Sequence, residues 1–349
     1  MATAKVTSVK ALADLPGLSS IPTTYSIQST PNIVNEEAVS DATESIPTID
    51  FSLLTSTNPE ERSKAIQELG KACEDWGFFV VTNHGMGEST MKGMIEACRA
   101  FFELTEEEKK EFEGKTVVDP IRFGTSTAPG DKVLFWRDYL KVLLHPNFNS
   151  PNKPPTFREF ALEYGKGARY VAREIVRGIC DSLGLEEDYI DKVFNLENGV
   201  QRMVANFYPP CPQPELAMGL PPHSDHALLT LLIQNGIGGL QVEHQGKWIN
   251  INPIPNTFLA NIGDFIQILS NGKYKSILHR AVVNNRDTRI SIAIPHGPAI
   301  DAVVSPASKL IDPVSNPPIY RAVKYKEYLE LNQSNTLDGK SCLEHIRIR

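Results

Sequence analysis

The sequence predicts an α+β protein with helices in its first half, a double-layered β core after them, and one closing helix. Apolar residues recur at helical spacing between residues 58 and 183. From residue 199 onward, short strand-like runs broken by turn signals follow one another about every ten residues, the rhythm of an antiparallel barrel or jelly roll. No internal repeat is present, so one main core is expected.

Each element has a local reason. Residues 1–45, rich in Ser, Thr, Pro and Val, read as an irregular arm with one short helix near residues 9–15. The region 46–198 is expected to be mainly helical, opening on a short strand at 46–51. Asn58 then caps a helix with Pro59 in its first position and Glu61 following, and Gly77 stops it. Ala65, Ile66, Leu69, Ala72, Cys73 and Trp76 form its apolar stripe. A buried strand at 78–82 ends at Asn83-His84-Gly85, where His84 suits a turn hydrogen bond. Met91, Met94, Ile95, Cys98, Phe101 and Phe102 mark a second helix, and Thr105 caps a third at 106–111. Residues 113–155 read as irregular, and a long helix spans 156–183. The β core at 199–300 should hold strands near 200–208, 228–234, 239–243, 247–251, 258–262, 266–269, 276–283 and 289–295. The segment 301–349 carries the closing helix at 323–331.

Composition narrows the function classes. The 349 residues include 35 Lys+Arg and 42 Asp+Glu, a net charge of −7, without a basic tract. Phosphate-tracking nucleic-acid binding needs clustered cations, so no nucleic acid is expected as partner. No run approaches the roughly 18 apolar residues of a membrane span, so no membrane contact is expected either. The first 50 residues lack Arg and the apolar segment of a secretory signal, which makes the cytosol, with nuclear access, the expected compartment. The five cysteines show no close pairing, against a disulfide framework or a structural zinc site.

The chemistry concentrates in Pro221-Pro222-His223-Ser224-Asp225 and in His279. On an extended segment His223 and Asp225 project to the same side, and a distant strand can bring His279 to the same centre. Two imidazoles and a carboxylate on one face of a metal leave three adjacent positions open, the arrangement of non-haem iron(II) oxygenases. A His-x-Asp pair alone is more often an ordinary loop or core pair. Arg289-Ile290-Ser291 alternates in the same way: Arg289 can hold a carboxylate bidentately with Ser291 as a further donor, if Ile290 and Ile292 pack outward. Tyr208 would add a phenolic donor. Alone, the Arg289–Ser291 pair is more often a structural salt bridge, and Tyr208 reads as a half-buried strand aromatic.

Taken together, the motifs resemble those of the plant 2-oxoglutarate- and iron(II)-dependent dioxygenases of specialised metabolism. His223-x-Asp225, His279 and Arg289-x-Ser291 occur in that order behind Asn206-x-Tyr208-Pro209-Pro210-Cys211-Pro212. Gly238-Gly239-Leu240-Gln241-Val242, Asn261-Ile262-Gly263-Asp264 and Leu269-Ser270-Asn271-Gly272 lie between them. Ile46-Pro47-Thr48-Ile49-Asp50 and the stretch from Trp76-Gly77-Phe78 to Asn83-His84-Gly85 extend the likeness toward the amino terminus. The resemblance covers about residues 45–335. It implies a double-stranded β-helix (jelly-roll) core, iron(II) on His223, Asp225 and His279, and 2-oxoglutarate on Arg289, Ser291 and Tyr208. It further implies O2 as co-reactant, ascorbate as reductant, release of succinate and CO2, and hydroxylation or desaturation of a hydrophobic small molecule by a monomeric enzyme.

Departures from the family pattern bear on the substrate. His226 stands directly after Asp225, where many relatives carry a small or apolar residue, and Pro295 replaces the aromatic of many flavonoid-acting relatives. His226 and His296 are expected near the pocket mouth with Phe123, Phe135, Phe207 and Leu228, around an apolar terpenoid, alkaloid or phenylpropanoid. Two other readings stay open: an ascorbate-using oxidase of the aminocyclopropane-carboxylate oxidase type, and a metabolite-binding protein without turnover.

Overall fold

Several helices begin where a side chain accepts a hydrogen bond from a free amide of the first turn. A computed structural model describes residues 8–27, 46–116, 119–126, 133–334 and 341–348. Ser8 caps α1 (Val9–Ala13), and Asp50 caps α2 (Phe51–Leu54). Asn58 accepts from the Glu60 amide at the head of α3 (Pro59–Asp75). Glu61 turns instead to the Ser56 hydroxyl, so no reciprocal capping box forms there. Gly77 ends α3 with φ of 61°, where a Cβ would collide with the Lys275 carbonyl. α4 (Glu88–Phe102) follows, and Thr105 and Glu108 close a full capping box on α5 (Glu106–Lys110). α6 (Phe157–Ser182) lays Ala161, Tyr164, Ala168, Val171, Ile175 and Ile179 into the core. α7 (Tyr189–Val193), α8 (Asp264–Leu269), α9 (Tyr325–Ser334) and α10 (Ser341–Ile346) complete the helices. None of the described helices is long and apolar enough to cross a membrane.

The strands are β1 (Thr48–Asp50), β2 (Phe78–Thr82), β3 (Ile121–Thr125), β4 (Asp138–His145), β5 (Gln201–Tyr208), β6 (Leu220–His223) and β7 (Leu229–Gln234). They continue with β8 (Leu240–His244), β9 (Lys247–Ile251), β10 (Phe258–Ile262), β11 (His279–Ala281), β12 (Arg289–His296), β13 (Val303–Val304) and β14 (Val323–Lys324). Eight make one sheet in the order β1-β2-β10-β7-β12-β5-β4-β3, and four make a second in the order β6-β11-β8-β9. These are the two walls of the jelly roll.

The large sheet has two distinct faces, because side chains alternate along each strand and paired residues share a face. Ile290, Ile292 and Ile294 join Leu229, Leu231, Ile233, Met203, Ala205, Leu140 and Val142 in the core shared with α4 and α6. The opposite face looks toward the small sheet. At one end that interior is dry, packed by Phe78, Val80, Leu240, Val242, Ile249, Ile251 and Leu259. At the other end it is lined by polar groups.

Two stretches fold differently from the sequence expectation. Residues 266–269, expected as a strand, belong to α8: Gly263 precedes the helix, and all six of its residues are buried, so no polar face marks the period. The segment 113–155, expected to be irregular, contains β3 and β4, whose alternation is hidden by long polar side chains on the interior face. The closing helix falls where expected, with α10 packed against it as an addition. Most of the amino-terminal arm lies outside the described residues.

Candidate active site

Pairing of β6 with β11 sets His223 directly opposite His279, with ring centroids 4.2 Å apart. Asp225, just beyond β6, turns its Oδ1 to within 3.9 Å of His223 Nε2 and 3.8 Å of His279 Nε2. One potential ligand atom from each residue lies within 4.8 Å of the others. His223 Nδ1 is 2.9 Å from the Pro221 carbonyl, and His279 Nδ1 is 3.2 Å from that of Ile277. Each carbonyl accepts a hydrogen bond from Nδ1–H, which assigns the tautomer that leaves Nε2 with a free lone pair. Burial, reinforced by His279, pushes the His223 imidazole down to about 3. Burial opposes ionisation of Asp225, yet the two imidazoles outweigh it and hold its carboxyl down at about 2. His223 is therefore neutral and Asp225 ionised at neutral pH. The Asn261 amide, on the interior face of β10, donates to Asp225 Oδ2 at 2.8 Å.

Further along the interior, Arg289, Ser291 and Tyr208 share one face, because Arg289 pairs with Tyr208 across β12 and β5. Arg289 is buried. Its Nη2 donates to Gln234 Oε1 at 2.7 Å, while among the described residues Nε and Nη1 have no hydrogen-bond partner. A buried guanidinium with two uncommitted donors is a seat for an anion. Its carbon lies 5.0 Å from the centre of the Tyr208 ring. Gly239, with φ of 134°, passes directly behind it, where a Cβ would come 2.8 Å from the Val282 carbonyl and 3.2 Å from Arg289 Cδ. Asn206 connects the two halves, accepting from Arg137 Nη1 at 3.2 Å and reaching Ser291 Oγ at 3.4 Å.

This donor set, two imidazole nitrogens and a carboxylate beside an anion seat, fits iron(II) and a dicarboxylate together. The profile of the 2OG-Fe(II) oxygenase superfamily matches residues 199–298, and that of the non-haem dioxygenase amino-terminal region in morphine synthesis matches residues 46–160. The 2-oxoglutarate-dependent dioxygenase 19 of Oryza sativa subsp. japonica is 44% identical over 305 residues, covering 87% of this chain and 90% of that protein. The chain belongs to the 2OG-Fe(II) oxygenase superfamily. This dioxygenase is also similar to Protein DMR6-LIKE OXYGENASE 1 of Arabidopsis thaliana, 39% identical over 99% of both chains. The crystal structure of JOX2 in complex with 2OG, Fe and JA superposes with a TM-score of 0.88 at 32% identity, covering 99% of each chain. It is thus a 2-oxoglutarate- and iron(II)-dependent dioxygenase with relatives in plant specialised metabolism.

The residues expected around the pocket mouth separate. Phe123 and Phe207 lie on the helix side of the large sheet, where both rings pack at a tilt against Phe102. Leu228 and His296 line a small crevice against Arg169, Ala172 and Val176 of α6, with His296 Nε2 3.3 Å from the Gln201 amide. The physical reason is parity. Tyr208 and Arg289 face the interior, so Phe207 and His296, at odd spacing from them, face outward. Phe135 packs with Ile27, Val133 and Met218, beside the turn that carries Gly219 against the Tyr208 ring. His226 stays at the interior, its Nδ1 3.2 Å from the Tyr325 hydroxyl, and burial pushes it down to about 4. His84 bonds the Asn256 carbonyl and the Met86 amide in a turn. Asp264 accepts from Tyr328 at 2.7 Å, and its amide donates to the Asp225 carbonyl, so it braces the site from behind. Sequence reasoning missed Gln234, Asn261 and Arg137. Of these, the even spacing of Asn261 and Gln234 from other interior residues was the available signal.

Proposed function

We propose that His223, Asp225 and His279 hold the iron(II), that Arg289, Ser291 and Tyr208 hold 2-oxoglutarate, and that the enzyme hydroxylates or desaturates a small plant metabolite beside them. The observation carrying this reading is the cluster of ligand atoms within 4.8 Å next to a buried guanidinium with two uncommitted donors. Bound iron(II) supplies dioxygen activation coupled to conversion of 2-oxoglutarate into succinate and CO2. The protein's own groups do the positioning. The Pro221 and Ile277 carbonyls fix the two imidazole rings, and Asn261 holds Asp225 Oδ2 so that Oδ1 stays available. Gln234 anchors one arm of Arg289, which leaves a fork for a carboxylate, and Ser291 and Tyr208 add hydroxyl donors. Within this reading the working unit is a cytosolic monomer without nucleic-acid or membrane partners, and the net charge of −7 supports the first of those exclusions.

Aerobic incubation with iron(II), ascorbate, 2-oxoglutarate and fractionated plant extract is expected to release succinate in step with a product heavier by one oxygen or lighter by two hydrogens. Turnover that needs ascorbate but not 2-oxoglutarate would favour the aminocyclopropane-carboxylate oxidase type instead. Asn261→Ala is expected to weaken iron(II) binding about 10-fold or more, the usual effect of losing a group that orients a metal ligand. Competition with a chelator checks it, and unchanged affinity would show that Asp225 needs no such tether.

A further inference from the structure

The interior face of β3, β4 and β5 carries cations where an apolar lining was expected. Along β4, Tyr139, Lys141 and Leu143 are half-buried while Leu140, Val142 and Leu144 are fully buried. The half-buried series shares its face with Arg122, Val204, Asn206 and Tyr208, and across β12 with Ala293. Pro295, two residues beyond Ala293, lies on the same face opposite Thr230. This series therefore lies on the half-buried face of the large sheet, the one turned toward the small sheet that carries His223 and His279.

The cations there are poorly compensated. Arg122 lies directly across from Lys141 in the β3–β4 register, and Arg202 sits on the neighbouring strand two residues from Lys141's partner Val204. Like charges opposed across a sheet are destabilising. Among the described residues, no carboxylate forms an ion pair with Arg122, Arg137, Lys141 or Arg202. Among the described residues, Arg122 Nε is buried without a hydrogen-bond partner, and Arg202 reaches the Asp119 backbone carbonyl, at 3.5 Å. Asp119 lies near Arg122, but its carboxylate is committed to the Lys115 and Thr116 amides and the Thr116 hydroxyl. Lys141 and Arg137 both lie over the Tyr139 ring, 4.9 and 5.6 Å from its centre. Burial, together with Arg137, Arg122 and Arg202, pushes the Lys141 ammonium down to about 7. His226 and Tyr325 close the side nearest the metal ligands.

We propose that Arg122, Lys141 and Arg202 form the recognition wall for a carboxylate on the oxidised substrate, which makes that substrate a small organic acid with an apolar body. This deepens the dioxygenase reading above and rests on it. The wall is distinct from the 2-oxoglutarate seat, since Arg289 faces the interior further along β12, beyond Asn206 and Ser291. An anion among these groups offsets the repulsion between facing cations, and the guanidinium forks match a carboxylate. Val204, Leu143, Ala293 and Pro295 offer the adjoining apolar surface for the hydrocarbon part. The expected apolar substrate is thereby narrowed to an acid.

The test is anaerobic titration calorimetry of the protein loaded with iron(II) and 2-oxoglutarate, using cinnamic, naphthylacetic and cyclohexylacetic acids, each beside its methyl ester. At least one acid is expected to bind 10-fold or more tightly than its ester. Arg202→Gln and Lys141→Gln should each erase that preference by weakening the acid and not the ester, while Arg202→Lys retains most of it. A merely structural cluster would not move the acid-to-ester ratio. Equal binding of acids and esters, an unaltered ratio in both glutamine variants, or no acid binding by protein that still takes up 2-oxoglutarate would overturn the wall and leave the dioxygenase site standing. Failure of 2-oxoglutarate itself to bind would overturn both.

Discussion

His279→Ala is expected to abolish iron-dependent turnover. Removing a group that merely orients a metal ligand costs about 10- to 100-fold, so deleting one of three ligands should cost more. The fold should survive, because β11 is held by backbone pairing to β6 and β8. The side chain does contribute some packing, with its ring 5.3 Å from that of Phe78 in an edge-on contact, so a loss of about 1 kcal/mol in stability should accompany the change. His279→Gln fills more of that space and still lacks the imidazole. Iron content, succinate release and urea unfolding measured on both variants separate the two effects. Turnover within about 10-fold of wild type in both would remove His279 from the metal centre.

The residues that carry chemistry were more legible in the sequence than the chamber around them. His223, Asp225, Arg289 and Ser291 sit in short extended motifs whose two-residue alternation is a local property; the β6–β11 register then sets His223 opposite His279, and the β12–β5 register sets Arg289 opposite Tyr208. The same alternation, applied to Phe207 beside Tyr208 and to His296 beyond Arg289, already sends both outward. Chemical type had suggested a pocket position where parity excluded one. Parity alone does not place Phe123, because β3, which carries it, shows no clear alternation in the sequence.

β3 and β4 are not legible in the sequence, for a physical reason. Their interior positions carry Arg122, Tyr139 and Lys141, so the pattern of one apolar face and one solvent face is blurred by long side chains that are neither in water nor in the core. The feature that hid these strands is the one that marks their function. α8 shows the converse, since Phe265, Ile266, Gln267, Ile268 and Leu269 are all buried and no amphipathic period distinguishes helix from strand. The long helix α6, half in water and half in the core, is the most legible element.

Arg289→Lys is expected to raise the 2-oxoglutarate requirement strongly while leaving turnover at saturation comparatively intact. The guanidinium serves two partners at once: Nη2 holds Gln234, and Nε and Nη1 remain for a carboxylate. An ammonium keeps the charge but cannot hold Gln234 and present a fork together. Losing one charge-assisted hydrogen bond costs about 1.5–3 kcal/mol. At about 1.4 kcal/mol per decade, that is a rise of roughly 10- to 150-fold in KM for 2-oxoglutarate. Ser291→Ala, which removes one neutral donor, should raise KM by only about 2- to 10-fold. Succinate formation followed against 2-oxoglutarate concentration in wild type and both variants reads the ordering directly. An unchanged KM in Arg289→Lys would mean that the carboxylate is held by another cation, with Arg137, linked to Ser291 through Asn206, the first to examine.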